Sequence, residues 1–315
     1  MLRLILSRLG LGLLTLFVVS VVIFILTQIL PGDVASSVLG QNATPDNLAA
    51  FRHELGLDQP ALSRYVTWLT GVLHGDFGVA LTNRRDIVSE LWPRFKNTLF
   101  LACYAALLAL PVAVGFGILA AIREGRLTDR VVNILALLAI SMPEFFIGYV
   151  LILNFAVNHE IFPSLATVSS DTGFAERVWS VTLPAITLTL LVTAHMLRMT
   201  RNSVLAIMST PYIEMAFLKG LTRARVVTRH ALPNAAAPII SVIALNLAYL
   251  VVGVVVVENV FTYPGVGQYM IDAVTKRDVP VIEACGMVFA TVFISLNTFA
   301  DVMAIILNPR LRHPR

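Results

Sequence analysis

The sequence predicts an all-α polytopic membrane protein with six transmembrane helices, and three observations carry that prediction. Hydrophobic residues fill 57% of the 315 positions and charged residues only 13%, where a soluble domain carries about 25%. Mean hydropathy is +0.81. Apolar runs long enough to cross a bilayer alternate with polar segments, and the charges on those segments alternate in sign bias. Segments on one side hold fourteen of the 23 Lys and Arg residues, although they are the shorter set. Acids favour the other side, so the positive-inside rule puts both termini in the cytoplasm. The net charge of +4 therefore reports orientation and not a nucleic-acid partner.

Each span follows in order. Residues 11–30 form an apolar run behind Arg3 and Arg8. It is too long for a signal peptide and no small-residue cleavage site follows, so it reads as the first span. Residues 31–96 are largely polar and read as an external segment with interfacial helices, a weakly amphipathic stretch at 62–73, a turn at HGDFG (74–78), and Trp92 at headgroup level. The second span is 98–121, followed by Arg123, Arg126 and Arg130. The third, 131–157, contains SMPEFF (141–146), where Pro143 should kink the helix. An external loop, 158–180, ends near Trp179. The fourth span is 181–197, with Pro184 near its outer end and His195 near its inner end. The fifth is 235–257, then a loop at 258–280 with the turn PGVG (264–267), and the sixth is 281–307 before the basic tail.

Catalytic chemistry is not in evidence. Lys96, Lys219 and Lys276 are the only lysines and none follows a glycine, so a phosphate-cradling P-loop is missing. HExxH is also missing, Gly75–Asp76 lacks the preceding glycine of GxGD, and the six histidines show no metal-ligand spacing. No metal and no cofactor are expected. Cys103 and Cys285 lie in apolar runs and read as buried free thiols. His195 reads as a packing or hydrogen-bonding residue between helices.

Three carboxylates fall in or beside spans. A charge at mid-membrane costs roughly 2.5–3.5 kcal/mol on insertion scales, so each needs a pore, a partner or an interface. Asp301 and Glu283 lie near span ends and read as paired or solvated. Glu144, beside Pro143, reads either as pore-lining or as part of helix packing at a gate.

The longest basic interruption is TPYIEMAFLKGLTRARVVTRHALP (210–233). Thr210 is placed to cap a short helix with Pro211 at its first position and Glu214 near the positive end of its dipole. Gly220 breaks the run, and Thr222 is placed to cap a second helix that Pro233 ends. A compact helix pair on one face of a membrane protein is a surface for another protein.

This stretch resembles the EAA loop of ABC-type import permeases: EAA, three residues, Gly, nine residues, an aliphatic position, one residue, then LP. Glu214, Met215 and Ala216 stand for EAA, Gly220 follows at the fixed spacing, and Leu232–Pro233 closes the motif. Met215 departs from the first alanine and His230 from the aliphatic position. PGD (31–33), ELGLDQP (54–60), HGDFG, SMPEFF, RMTRNS (198–203), ENVFTYPGVGQYMIDAV (258–274), KRDVPV (276–281) and NPRLR (308–312) extend the likeness along nearly the whole chain. In that set the chain resembles the dipeptide/oligopeptide/nickel permease family.

The resemblance implies a type I ABC importer permease fold in the bacterial plasma membrane. It also implies a heterodimer with a second homologous permease subunit, two ABC ATPase subunits beneath it, and an extracytoplasmic solute-binding protein. The chain would then divide into 1–96 (first helix and external segment), 97–307 (five-helix core with the coupling loop at 201–233) and 308–315 (cytoplasmic tail). Glu214, Met215, Ala216, Gly220, Arg223, His230, Leu232 and Pro233 would form the ATPase contact. Glu214 would pair with a basic partner residue or simply cap the dipole. Gly220 would allow a sharp angle that a side chain would obstruct. Pro143 and Glu144, with Pro264, Gly265 and Gly267, are the pore or gate candidates, the last three either folding back at the outer mouth or forming a plain loop. The chain itself would not be an enzyme. The competing reading is an ion-gradient-driven secondary transporter, which leaves the EAA loop unexplained; within the ABC class, nickel chelates, glutathione or opines are alternative substrates to peptides.

Overall fold

The computed structural model describes residues 2–29, 44–54, 59–169 and 171–307. PGD (31–33), most of ELGLDQP and the tail from 308, with NPRLR, lie outside the described residues. Those described are helical, apart from loops and one isolated antiparallel bridge between Val79 and Asp86.

In chain order the helices are α1 (Leu2–Ile29), α2 (Pro45–Glu54), α3 (Ala61–His74), α4 (Ile87–Ile122), α5 (Leu127–Ser141) and α6 (Glu144–Leu151). They continue with α7 (Phe174–Met208), α8 (Pro211–Leu218), α9 (Arg223–Val226), α10 (Leu232–Val260), α11 (Val266–Lys276) and α12 (Val279–Leu307). A π-helical turn, Ile152–Asn158, extends α6, and another, Val227–Ala231, joins α9 to α10. Among the described residues five helical stretches are long and apolar enough to cross a membrane, and the bent pair α5–α6 is a sixth candidate.

Several helices outrun the apolar runs that predict them. α4 starts at Ile87, eleven residues before the expected 98, because Asp86 caps it: Oδ2 of Asp86 accepts the Ser89 N–H at 2.8 Å. α7 begins at Phe174 and carries Arg198 and Arg201 within its 35 residues. Trp92 and Trp179 sit within the first two turns of these helices, each about half exposed.

Proline has three different outcomes. At Pro143 the expected kink is a full break, α5 and α6 being bent by 102°. The residue before a proline is driven out of the helical region, and Met142 is extended at φ −93°, ψ 132°. Pro184 and Pro238 lie inside α7 and α10 without ending them. Pro233 was expected to end a helix but instead stands in the first turn of α10, directly after a π turn. The π turn before it widens the backbone, so α9 to α10 is one stretch, Arg223–Val260.

Two compact units divide the chain. One holds the residues up to Gly12, Phe100–Tyr263 and the residues from Phe293; the other holds Leu13–Leu99 and Pro264–Val292. In the first, α7 and α10 form the buried centre, through Leu188 and Met196 against Leu250, Val254 and Val257, with Leu101 and Ala105 of α4. Gly117 allows α4 to cross α7 closely, since a Cβ there would stand 2.9 Å from the Leu197 carbonyl oxygen. Asp129 at the start of α5 is buried, and all its acceptor capacity is used. Arg201 donates Nε to Oδ1 at 2.6 Å and Nη2 to Oδ2 at 2.8 Å. The Gly125 N–H and Asn133 Nδ2 add bonds of 3.0 and 2.8 Å. Arg8 Nη1 pairs with Asp301 at 3.0 Å, which agrees with the paired reading of Asp301.

In the second unit, α11 and the start of α12 pack on the start of α4 through Tyr269, Ala273, Ala284, Ile87 and Leu91. Thr82 donates its N–H and hydroxyl, both at 2.9 Å, to Asp278. α3 lies on α1: Tyr65 Oη is 2.8 Å from Ser20 Oγ, Arg64 donates to Gln28 at 2.7 Å, and Phe24 packs edge-on against Tyr65. Glu283 accepts the Thr27 hydroxyl at 2.7 Å, again as a paired carboxylate. Cys285 is buried as expected, whereas Cys103 is exposed on α4.

Replacing Asp129 with Ala leaves the part-buried Arg201 guanidinium without its partner and should lower stability by about 2 kcal/mol. Denaturant unfolding of the detergent-solubilised protein measures this, and the double variant Asp129→Ala/Arg201→Leu should recover most of the loss.

Candidate functional site

The basic interruption folds as the predicted pair of short helices, both in the first unit. α8 has Pro211 at its first turn, and Thr210 and Thr222 hold the extended backbone of N-caps before α8 and α9. Neither hydroxyl caps. Thr210 Oγ1 instead donates back to the Ile207 carbonyl at 2.6 Å, since the preceding turn of α7 ends within its reach.

Gly220 closes α8 in the left-handed region at φ +79°. Its N–H donates to the Phe217 carbonyl at 2.8 Å and the Leu221 N–H to the Ala216 carbonyl at 3.3 Å, the paired bonds of a Schellman ending. A Cβ at Gly220 would meet nothing within 4 Å. Glycine is therefore required by backbone angle and not, as expected, by crowding between the helices.

Alternate faces of the pair do different work. Ile213, Ala216, Val226, Val227 and Ala231 are buried against Ala121 of α4, Val204 of α7 and Ala235 of α10. Glu214, Met215, Gly220 and Pro233 are exposed, and His230 and Leu232 are half-buried. Tyr212, Met215, Phe217 and Leu218 give α8 a strongly apolar outer surface, Leu218 being 75% exposed. They form an exposed apolar patch on an otherwise polar, basic segment. Arg223 points inward: Nη2 pairs with Glu124 and also donates to the Ala121 carbonyl at 3.3 Å. The α4–α5 turn is thus held at Glu124 by the helix pair and at Asp129 by α7.

Of the gate candidates, Pro143 and Glu144 lie in the first unit at the α5–α6 break. The Glu144 carboxylate rests on Gly253 of α10, both oxygens 3.3 Å from where a Cβ would stand. Pro264, Gly265 and Gly267 belong to the second unit and lead into α11, which begins at Val266, three residues before the short helix expected at 269–274. The Pro264 carbonyl accepts Asn97 Nδ2 at 2.8 Å and the Val266 N–H donates to Thr98 Oγ1 at 2.9 Å, so this is an anchored corner and not a loose connection. His195 is exposed on α7 and is not packed between helices of this chain. Among the described residues no three His, Cys, Asp or Glu side chains converge as metal ligands.

Glu124, Asp129, Arg201 and Gly253 are absent from the sequence-predicted site. Partners 99 and 72 positions apart leave no local spacing signal.

Comparison with known proteins accounts for the whole chain. Residues 113–313 match the family model for the binding-protein-dependent transport system inner membrane component. Residues 1–102 match the model for the N-terminal part of such membrane components. The chain is 35% identical to the dipeptide transport system permease protein DppB of Escherichia coli strain K12, with both chains covered in full. It is 37% identical to the glutathione transport system permease protein GsiC of Salmonella choleraesuis, over 99% of this chain and all of that one. A probable peptide ABC transporter permease of Sinorhizobium fredii, y4tP, is 34% identical over 98% and 99% of the two chains.

Because Gly220 is constrained by φ alone, Gly220→Ala should destabilise the helix pair by roughly 1–2 kcal/mol, and Gly220→Leu should cost no more than Gly220→Ala. Thermal unfolding or limited proteolysis within 210–233 tests this. A much larger loss for Leu would point to crowding after all.

Proposed function

The chain belongs to the family of binding-protein-dependent transport system inner membrane components, and from that premise we propose how it works in an ATP-driven importer. It forms half of the translocation pathway, beside a second homologous permease subunit. Two ABC ATPase subunits dock on the helix pair, and an extracytoplasmic binding protein delivers substrate from the other side. The observation that carries this reading is the α8 surface: four exposed large apolar side chains on eight residues, seated by a buried opposite face. A missing P-loop makes such a surface necessary, because the energy source must be on another chain.

The bent pair counts as one span, giving six, with both termini and the helix pair on the cytoplasmic side. The positive charge bias supports that orientation. Residues 1–96 are the first helix and the extracytoplasmic segment, 97–307 the core, and 308–315 a cytoplasmic tail. The substrates are dipeptides and oligopeptides or a related small solute such as glutathione, a range supported by the named relatives.

In the coupling step the ATPases close on ATP and carry α8 with them. Glu214, Met215, Gly220, His230, Leu232 and Pro233 belong to the docking segment, Ala216 seats it, and Arg223 transmits its position to Glu124. Met215, where a smaller residue is usual, adds apolar contact area at the rim. Pro143 and Glu144 line or gate the path, and Pro264, Gly265 and Gly267 shape the outer mouth.

Leu218→Asp and Met215→Asp place a charge in the contact and should weaken ATPase binding more than tenfold, while Glu214→Ala should lower transport with membrane insertion intact. Co-purification with the ATPase subunits and uptake in proteoliposomes measure both. Wild-type co-purification and uptake in all three variants would sink the docking assignment.

A further inference from the structure

Several acids of the helices have partners within the chain. Asp129 takes four hydrogen bonds, Glu283 takes the Thr27 hydroxyl, and Asp301 pairs with Arg8. Glu258, fully buried near the end of α10, also has its interactions within the fold. Glu144 is different: Oε2 is enclosed and accepts no hydrogen bond. Glu144 is half-buried, its carboxylate set against the bare backbone of Gly253, with Leu188 Cδ2 3.4 Å from the same Cβ position.

Its depth follows from the next turn of α6. Gly148 faces Val260 and Phe261 at the end of α10, whereas Glu144 faces Gly253, about 10 Å further into the helix at 1.5 Å per residue. A carboxylate at that depth in an apolar span is a functional group awaiting a cation. Position 144 is also where the chain turns by 102°, so its surroundings change if α5 and α6 move against each other. Phe145, Phe146 and Tyr149 on α6 are each about half exposed, as is Tyr249, one turn before Gly253 on α10. Exposed aromatic rings on the two helices that meet at this carboxylate suit an organic ammonium, which rings attract through their faces and the carboxylate through charge.

We propose that Glu144 is the counter-ion for the primary ammonium of the transported substrate. This rests on the reading of the chain as a permease for peptides or glutathione-like solutes, all of which carry that group. Glu144 then sets specificity within the membrane, after release from the binding protein.

The test uses the complete transporter in proteoliposomes with saturating binding protein, and compares a dipeptide with its des-amino analogue. Wild type should favour the dipeptide beyond the preference of the binding protein alone. Glu144→Gln should cut dipeptide uptake at least tenfold, bring the ratio down to that of the binding protein, and keep ATPase co-purification; Glu144→Asp should retain part of the selectivity. An unchanged ratio in Glu144→Gln would overturn the proposal. So would an equal loss for both solutes, which assigns Glu144 to gate packing or to a cation of the partner subunit. If wild type takes up the des-amino analogue as well as the dipeptide, the ammonium is not read and this inference fails while the peptide reading stands. If wild type takes up neither, the peptide reading fails and the inference with it.

Discussion

The Arg201–Asp129 pair ties the α4–α5 end of the first unit to α7. Its two parallel bonds, with the Gly125 and Asn133 donors, leave no lone pair of the carboxylate unused. Such a pair gives little net stability over an apolar substitute but is costly to break. Its consequence is positional. It fixes the α4–α5 turn against α7, and Glu124 on the same turn then holds Arg223 of the helix pair. The apolar outer face of α8 therefore sits on a base tied by charge at two points and by Ile213 and Val226 at its centre. A pull on α8 meets that base and not a free loop.

Backbone satisfaction explains the placement of breaks. Within an apolar environment each unpaired N–H or carbonyl is expensive, so a proline must be absorbed or must end the helix. Pro184 and Pro238 are absorbed within long helices. Pro233 is absorbed because a π turn precedes it, which shifts the hydrogen-bond register before the missing donor is reached. Pro143 is not absorbed: Met142 goes extended and α6 starts afresh.

Much of this was legible in the sequence, and for physical reasons. Apolar runs of span length, the Pro211 start and the Gly220 stop each report a local constraint that the fold cannot override. Helix ends were less legible. Asp86 capping Ser89 is a local signal and was available, but the polar character of 86–97 masked it. Pro233 misled because a proline after a polar run reads as a stop unless the π turn is seen. The ion pairs of Glu124 and Asp129 could not be read at all, because each acid meets its arginine only after α7 or α8–α9 folds back. Gly220 was read as a steric need, whereas its backbone angle is what favours glycine, since a sequence does not separate a steric requirement from a torsional one.

With charged residues only 13% of the chain, each carboxylate near a span can be accounted for individually. Desolvation in an apolar interior is recovered only where donors converge. Asp129 and Glu283 meet that condition within the chain, and their roles end there: they join helices. Glu144 is half-buried, with one oxygen enclosed and unbonded, and the bare backbone at Gly253 offers that oxygen no donor. Glutamine would fill the same space without that cost. A carboxylate held where glutamine would pack as well is explained by a cation that reaches it in another state.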